Sequence, residues 1–414
     1  MSSHARIRRR ACLGFALGLA ADIALPRAAH AAGIIEEIGP GGVYKTMHSF
    51  EAQEGMWPTG VMCASDGLLH GATRVGGAYD RGTLFRFDPR GHLEVLHSFS
   101  GGRDDGYAPA GPPVEGDDGA LYGLTARGGA ADAGVAYRLG PEGRWEVLHH
   151  FGVDRHDGIA PQDTLLLASD GQLYGTAVGG GDRNVGIAFR MGKDGSVTPL
   201  WQFGKPGEPA TPTTALIEGV DGRLYGTSFS GGADTGTVFS LAKDGSDRRV
   251  VHSFGYTSER YPDAALVQAT DGYLYGTNQG GGAHGFGTAY RLAPDGSGYR
   301  VLHDFAGRMD GCNANSPLLE IEPGALVGAT SEEDLVLYGG TLFALTADGQ
   351  LGTLHRFGRR TLRGVPDGGW RLGRLCRLPT GELVGTCLRG GAADGGTLWF
   401  ARAPDGGWGS GLQT

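Results

Sequence analysis

The chain has 414 residues, including 78 glycines and 20 prolines, and its formal net charge is −9. This much glycine without a collagen period, with apolar runs between the glycines, predicts a folded protein with many tight turns and excludes a disordered chain. No basic stripe follows the first residues, so the electrostatic footprint of a nucleic-acid-binding protein is missing and we expect no nucleic-acid partner.

Residues 1–31 have the pattern of a signal peptide. A basic stretch at 6–10 precedes a short apolar run and the small-residue pattern Ala-His-Ala at 29–31. We expect cleavage after Ala31 and a periplasmic or extracellular protein, exported by the Sec or the twin-arginine route. The signal holds five arginines and one aspartate, so its removal takes the charge from −9 to −13. Residues 32–41 form a short lead, and no later segment predicts a membrane span.

From residue 42 to residue 405 the chain is a tandem repeat. Three phrases similar to LYGT, GTVF and VLHSF each occur seven times, at a spacing of 49 to 57 residues. A period of this length indicates a repeat architecture in which each unit is one supersecondary element. The LYGT-like phrases begin at residues 69, 121, 173, 224, 274, 326 and 383.

The copy at 262–305 shows what the unit is. It contains, in order, an apolar strand, an Asp-Gly turn, the LYGT strand, a glycine-rich loop, the strand TAYRL, another glycine turn and the strand YRVLHDF. Asp-Gly supplies the positive φ that a tight hairpin needs. Four short antiparallel strands per period, without an amphipathic helix, predict the blade of a β-propeller.

The two ends of the repeat are complementary. Residues 42–50 carry the fourth-strand phrase with no blade before it, and 396–402 is a third strand with no fourth strand after it. We therefore predict an all-β, seven-bladed β-propeller in which 42–50 pairs beside 396–402 and closes the ring. A linear β-solenoid is the alternative. Residues 406–414 are predicted to be a C-terminal tail.

The three-part phrase resembles the GloVer tandem repeat of exported bacterial proteins. The resemblance covers roughly 42–405, and it implies export and a propeller-like fold but no established reaction. Members of that family often carry a C-terminal surface anchor. The final sequence GGWGSGLQT has no apolar tail, so we expect no such anchor here.

Four cysteines remain after removal of the signal: Cys63, Cys312, Cys376 and Cys387. In an oxidising compartment they allow three connectivities, and the alternative is that some are buried thiols. Our first expectation is a disulfide between Cys376 and Cys387, because these two fall on adjacent strands of one hairpin. Their spacing matches no zinc signature, and we expect no metal and no cofactor.

Two residue types recur at fixed places in the repeat and are therefore expected to be structural. One is the histidine of the VLHSF phrase, present in six of its seven copies, and the other is the aspartate of the Asp-Gly turns. A catalytic histidine is rarely needed six times, so we predict contacts between blades or with turns.

Departures from the repeat supply the candidate site residues. Glu332, Glu333 and Asp334 replace a glycine pair in blade six and suit a cation or acid–base chemistry, or else form a solvated turn. Arg155 and His156 lie together in a loop and suit proton abstraction beside a carboxylate or binding of an acidic sugar, or else form a polar surface.

Weaker candidates lie in other loops. His284 stands alone in a glycine-rich loop, and the loops between blades carry aromatic rings that suit sugars or pack against proline. The aromatic candidates are Trp57, Tyr107, Tyr256, Tyr261 and Trp370.

Three functions remain open from the sequence. The first is an exported recognition module for a carbohydrate or protein ligand, bound through the loop face. The second is a propeller enzyme, a polysaccharide lyase or glycosidase working in the central funnel, which rests on fold analogy. The third is a structural envelope protein. Seven near-regular blades favour binding or scaffolding over catalysis, and whether the protein is an enzyme is left undecided.

Overall fold

The computed structural model describes residues 35–38, 42–154, 156–233, 235–255, 259–307, 310–332, 339–358, 366–403 and 408. Within these residues the chain forms strands and no α-helix. No helix long and apolar enough to cross a bilayer occurs in the described part. The described ranges from residue 35 onwards belong to one compact unit.

The strands follow one another in groups of four. The first two strands and blades 1 to 3 comprise β1 (Ile35–Ile38), β2 (Gly42–Ser49), β3 (Met56–Cys63), β4 (Leu69–Val75), β5 (Thr83–Asp88), β6 (His92–Ser98), β7 (Gly106–Pro109), β8 (Val114–Glu115), β9 (Leu121–Gly128), β10 (Val135–Leu139), β11 (Trp145–His150), β12 (Gly158–Leu167), β13 (Leu173–Gly180), β14 (Ile187–Met191) and β15 (Val197–Gln202).

Blades 4 and 5 comprise β16 (Pro209–Ala210), β17 (Ile217–Glu218), β18 (Leu224–Ser228), β19 (Ser230–Gly231), β20 (Thr237–Leu241), β21 (Arg249–Ser253), β22 (Glu259–Arg260), β23 (Val267–Gln268), β24 (Leu274–Asn278), β25 (Gly280–Gly281), β26 (Thr288–Leu292) and β27 (Arg300–Asp304). Blades 6 and 7 add β28 (Cys312–Ala314), β29 (Leu319–Glu322), β30 (Ala325–Glu332), β31 (Gly340–Thr346), β32 (Leu351–Phe357), β33 (Gly369–Leu372), β34 (Cys376–Arg377), β35 (Leu383–Arg389) and β36 (Thr397–Arg402).

The predicted seven-bladed propeller is confirmed. Each blade is an antiparallel sheet, such as β3-β4-β5-β6 in blade 1, and in several blades the first strand is broken into two short pieces. Blade 7 has the order β33-β35-β36-β2, with β34 also on β35 and β1 outside β2. Val43 pairs with Arg402 and Ser49 with Thr397, so the N-terminal strand closes the ring as predicted, and the solenoid alternative is wrong.

The glycine of each LYGT-like phrase makes room for an aromatic ring in most blades. Gly123 faces Tyr137 on the neighbouring strand, and a Cβ added to Gly123 would lie 2.2 Å from the tyrosine Oη. In blade 7 a Cβ on Gly385 would lie 2.4 Å from the Trp399 ring. A side chain at these positions would collide with the core, so the repeat requires glycine there for packing rather than for a turn.

The recurring histidines have the structural role predicted for them. His97 Nε2 lies 3.1 Å from Asp105 Oδ2, and His355 Nε2 lies 2.8 Å from Asp367 Oδ2. In each pair the acid opens the next blade, so the contact joins the last strand of one blade to the start of the following one. Pairs of this kind also form at His48, His149 and His303.

The turn aspartates serve two strands at once. Asp170 Oδ1 accepts the backbone N–H of Gln172 at 3.1 Å, and Asp170 Oδ2 accepts the hydroxyl of Tyr174 at 2.7 Å. The same tyrosine–aspartate bond recurs in blades 2, 4 and 5. These residues stabilise the hairpin, as expected from Asp-Gly turn chemistry.

The expected disulfide between Cys376 and Cys387 is wrong. Cys376 is bonded to Cys63 on the first strand of blade 1, with the two Cα atoms 6.3 Å apart, whereas Cys387 is a buried thiol. The register explains the difference, because Cys376 pairs with Val384 and not with Cys387. The disulfide therefore joins blade 7 to blade 1 across the closure of the ring.

One residue in the first strand of every blade has a left-handed backbone. The φ values of these residues lie between 51° and 61°. In blade 1, for example, the N–H of Trp57 donates to the carbonyl of Gly395 in the preceding blade at 2.7 Å. We call this the left-handed position; its occupants are Trp57, Ala108, Ala160, Thr211, Tyr261, Asn313 and Trp370.

Candidate functional site

The left-handed position determines what faces the central channel. In all seven blades the residue two places after the left-handed position lines a cavity at the opening of the channel, and we call this cavity the channel mouth. The seven lining residues at this place are Thr59, Ala110, Gln162, Thr213, Asp263, Asn315 and Leu372. The mouth has a volume of about 90 Å³, which is room for several waters or one small acidic group. Arg74, Asp163, Arg371 and Arg374 complete the part of the lining that carries charge.

The two acids of the mouth already have partners. Asp263 Oδ2 lies 3.1 Å from Arg371 Nη2. Asp163 accepts the N–H of Thr164 at 2.8 Å and, through its other oxygen, the N–H of Ala215 in the next blade at 3.0 Å. Both carboxylates therefore make contacts between different blades of the ring.

Two arginines of the mouth have no such partner. Within the described ranges, the side chains of Arg74 and Arg374 make no hydrogen bond or ion pair. Arg74 is half-buried at the end of β4. Burial and the nearby charge of Arg371 lower the pKa of Arg74 to about 10, against the opposing effect of Asp263 and Asp163. The guanidinium is still charged at neutral pH, without a counter-charge in contact.

Arg374 is positioned by a close approach of two blades. Its backbone forms a single parallel bridge with Gly60 of blade 1. A Cβ on Gly60 would lie 2.9 Å from the Arg374 nitrogen, and Gly60 has a φ of +141°. Arg374 also lines a second cavity of about 220 Å³, in which apolar side chains such as Leu266 and Leu318 lie together with the polar Glu218 and Gln268.

Two of the five predicted aromatic residues come together beside the mouth. Trp57 and Trp370 flank the guanidinium of Arg389, at 4.7 Å and 5.4 Å from their ring centroids. Arg389 Nη1 also contacts Asp394 Oδ2 at 3.0 Å. Trp370 is 37% exposed. In the sequence, each tryptophan is followed directly by a residue that lines the mouth.

The other aromatic candidates are separate from this pair. Tyr107 lies under Arg81, with 4.7 Å between the guanidinium and the ring centroid. Tyr261 stacks on Phe229 at 4.7 Å. Both are half-buried and pack within their own parts of the ring. Tyr256 lies outside the described residues.

The polar loop candidates are not brought into the mouth. His156 Nδ1 lies 2.9 Å from Asp182 Oδ1, at the rim between blades 2 and 3, and His284 is exposed in a loop of blade 5. Glu332 ends β30, where it pairs with Cys312. Arg155, Glu333 and Asp334 lie outside the described residues. Among the residues that the structure does describe, no cluster of three or more His, Cys, Asp or Glu side chains could hold a metal.

Sequence reasoning missed Arg74, Arg371 and Arg374, although the repeat contains a signal for them. Arg74 aligns with Ala126, Val178, Phe229, Gln279, Ser331 and Leu388 of the other blades, all uncharged. Arg371 occupies a place that is proline in five blades and alanine in one. The mouth is therefore asymmetric, and its excess positive charge comes from blades 7 and 1.

The fold and the mouth define a seven-bladed β-propeller with a charged central channel. The chain belongs to the Gloeobacter/Verrucomicrobia repeat family, whose model matches residues 25–235, 91–272 and 227–409. None of the curated protein sequences matches the chain.

Solved structures are similar in fold. An oligogalacturonate lyase in complex with manganese has a TM-score of 0.56 at 14% identity, over 90% of this chain and 96% of that one. The extracellular domain of a hybrid two-component system from B. thetaiotaomicron has a TM-score of 0.52 at 9% identity, over 90% of this chain and 45% of that one. At these identities the likeness concerns the fold alone.

Proposed function

We propose that this protein is an exported recognition module that binds a carbohydrate at the channel mouth. The observation that carries the proposal is the pair Trp57 and Trp370 beside a polar, partly charged opening. Aromatic faces bordering polar groups suit sugar rings, which present apolar C–H faces and a rim of hydroxyls. Export rests on the signal pattern of residues 1–31 and on the oxidised pair Cys63–Cys376, since disulfides persist in oxidising compartments.

Binding is better supported than catalysis. A glycosidase needs two carboxylates free to act as acid and base or nucleophile, but Asp163 and Asp263 are committed to Ala215 and Arg371. His156 pairs with Asp182 rather than facing the channel. A lyase is the alternative function, and the fold likeness to an oligogalacturonate lyase is its support.

The test is a glycan-array and depolymerisation screen on the mature protein, with and without calcium, repeated on Trp57→Ala and Trp370→Ala. Alanine is compatible with the left-handed position, because Ala108 and Ala160 occupy it in blades 2 and 3. We expect sugar binding without new reducing ends, weakened about tenfold by each substitution because a stacking face is lost.

Tyr79→Ala is the matched control, since Tyr79 is an aromatic residue 59% exposed in a blade 1 loop and outside the mouth lining. It should bind as the unsubstituted protein does. New reducing ends or an unsaturated uronate would favour the enzyme. Binding that is equally insensitive to all three substitutions would place the ligand elsewhere, and binding of proteins alone would replace the carbohydrate proposal.

A further inference from the structure

We infer that Arg74, supported by Arg374, forms a subsite for a carboxylate, so that the ligand of the channel mouth is an acidic sugar and not a neutral one. This inference rests on the proposed function and names its substrate class. It follows from the placement, burial and missing partners of the two guanidinium groups.

The first observation is a local break in the repeat. The place of Arg74 is uncharged in the other six blades, and so is the place of Arg374, where the other blades have Val61, Pro112, Thr164, Ala215, Ala265 and Pro317. In a protein whose net charge is −9, two arginines without an ion-pair partner among the described residues line one small cavity. Packing of the repeat does not require them, since six blades close without them.

The second observation is the absence of a counter-charge in contact. Within the described part of the chain, the side chains of Arg74 and Arg374 make no ion pair, while Asp263 is taken by Arg371 and Asp163 by backbone N–H groups. Arg74 is half-buried and lies near the charge of Arg371, and burying a guanidinium is unfavourable until an anion neutralises it. Burial and Arg371 both lower the pKa of Arg74, which is the direction expected for a cation lacking its partner.

The third observation is the fit between the group and the cavity. A guanidinium binds a carboxylate through two parallel N–H donors, and this geometry favours planar acids. The mouth, at about 90 Å³, has room for one acid group and a few waters rather than for a chain of sugars. The sugar ring that carries the acid would lie at the rim, on the side of Trp57 and Trp370.

The experiment compares matched acidic and neutral ligands. Isothermal titration is run with galacturonate and glucuronate trimers and with their methyl esters, which keep the ring and remove the charge. The proteins are the unsubstituted chain, Arg74→Gln, Arg374→Gln and the control Arg90→Gln, whose side chain is 89% exposed on a turn. Thermal unfolding shows that each variant is folded.

We expect an acid trimer to bind, its ester to bind about 10- to 100-fold more weakly, and Arg74→Gln to reduce acid binding by a similar factor without affecting the ester. That factor corresponds to the loss of one or two charged hydrogen bonds. Arg374→Gln should give a smaller loss, and Arg90→Gln none.

Two results overturn the inference and are distinguishable from failure of the proposed function. If acid and ester bind equally, or Arg74→Gln binds the acid normally, the subsite is wrong while carbohydrate binding stands. If neutral sugars bind in a Trp57-dependent way and no acid trimer does, the substrate class is wrong. If no sugar binds to any of the proteins, the proposed function falls and the inference with it.

Discussion

At the scale of single residues, most of the repeat is devoted to joining strands and blades. The histidine–acid pairs connect the end of one blade to the start of the next, and the acid does more than accept one hydrogen bond. Asp105 also accepts the N–H of Ser100 at 2.8 Å and the N–H of Gly106 at 2.8 Å. Although burial by itself raises the pKa of this carboxyl, the hydrogen bond from His97 and these N–H groups lower it overall.

We predict that Asp105→Asn lowers stability by about 1–3 kcal/mol at pH 7, since it leaves buried donors with a weaker acceptor. A carboxyl with a lowered pKa contributes stability above its unfolded pKa of about 3.9 and loses it as the pH falls through the folded pKa. The difference between Asp105→Asn and the unsubstituted protein, measured by urea unfolding, should therefore shrink as the pH falls below the unfolded pKa and through the lowered folded pKa. A difference that does not depend on pH in the acid range would contradict this role. Asp104→Asn, at the exposed neighbouring position, is the control.

Residue scale is also where the sequence was least informative. The left-handed position holds Trp, Ala, Thr, Tyr or Asn and never glycine, so no turn signal marks it. Unless the left-handed position is recognised, the sequence does not show which of the following residues face the channel. An arginine at the end of a strand is typically solvent-exposed, so the arginines of the mouth did not stand out. Trp57 and Trp370 were among the five aromatic candidates of the loops, but their meeting beside Arg389 could be seen only in the closed ring.

At the scale of elements, the four strands of each blade and their order followed from the sequence because Asp-Gly turns and apolar runs alternate at a constant period. Strand β1 did not, since residues 32–41 were expected to be only a lead. The breaks within the first strands of several blades were not predictable from the sequence. The left-handed residue interrupts the hydrogen bonding of the strand there, and this residue is neither proline nor glycine. The pairing of β2 with β36 was predictable from the complementary ends alone. The pairing of Cys63 with Cys376 was not, because it joins two blades that are far apart in sequence.

We predict that deleting residues 42–50 destabilises the whole ring. The deletion removes the partner of β36 and two buried aromatic residues, Tyr44 and Phe50, which are 1% and 0% exposed. Loss of each buried aromatic side chain costs about 3–5 kcal/mol, and the uncovered edge of β36 promotes aggregation.

Thermal unfolding and light scattering measure both effects. Deleting 35–38 is the control, because β1 pairs only with β2 on the outside of the sheet and its removal leaves the β2–β36 pair intact. If the two deletions behave alike, pairing of β2 is not what holds the ring closed.

Across the molecule, two separate interactions close the ring of blades. Hydrogen bonds join β2 to β36 on one side of blade 7, and the disulfide joins the first strands of blades 7 and 1. The bridged cysteines are 313 residues apart, so the bond constrains most of the unfolded chain. In the chain-entropy description such a loop contributes about 6 kcal/mol.

We therefore predict that Cys63→Ser with Cys376→Ser lowers the melting temperature by several degrees, and that a reducing agent does the same to the unsubstituted protein but not to the double variant. Cys312→Ala, at a buried thiol outside the disulfide, is the control for cysteine replacement. An unchanged melting temperature under reduction would show that the strand pairing suffices alone.

The closure also imposes an order of events on synthesis. Residues 42–49 are made early, yet their partner at 397–402 is made some 350 residues later, so the first strand must wait unpaired while the intervening blades form. Cys63 and Cys376 are brought together only when that wait ends. The bond between Cys63 and Cys376 therefore requires both ends of the chain to have met. In a pulse-labelled culture, we expect it to appear only in full-length chains.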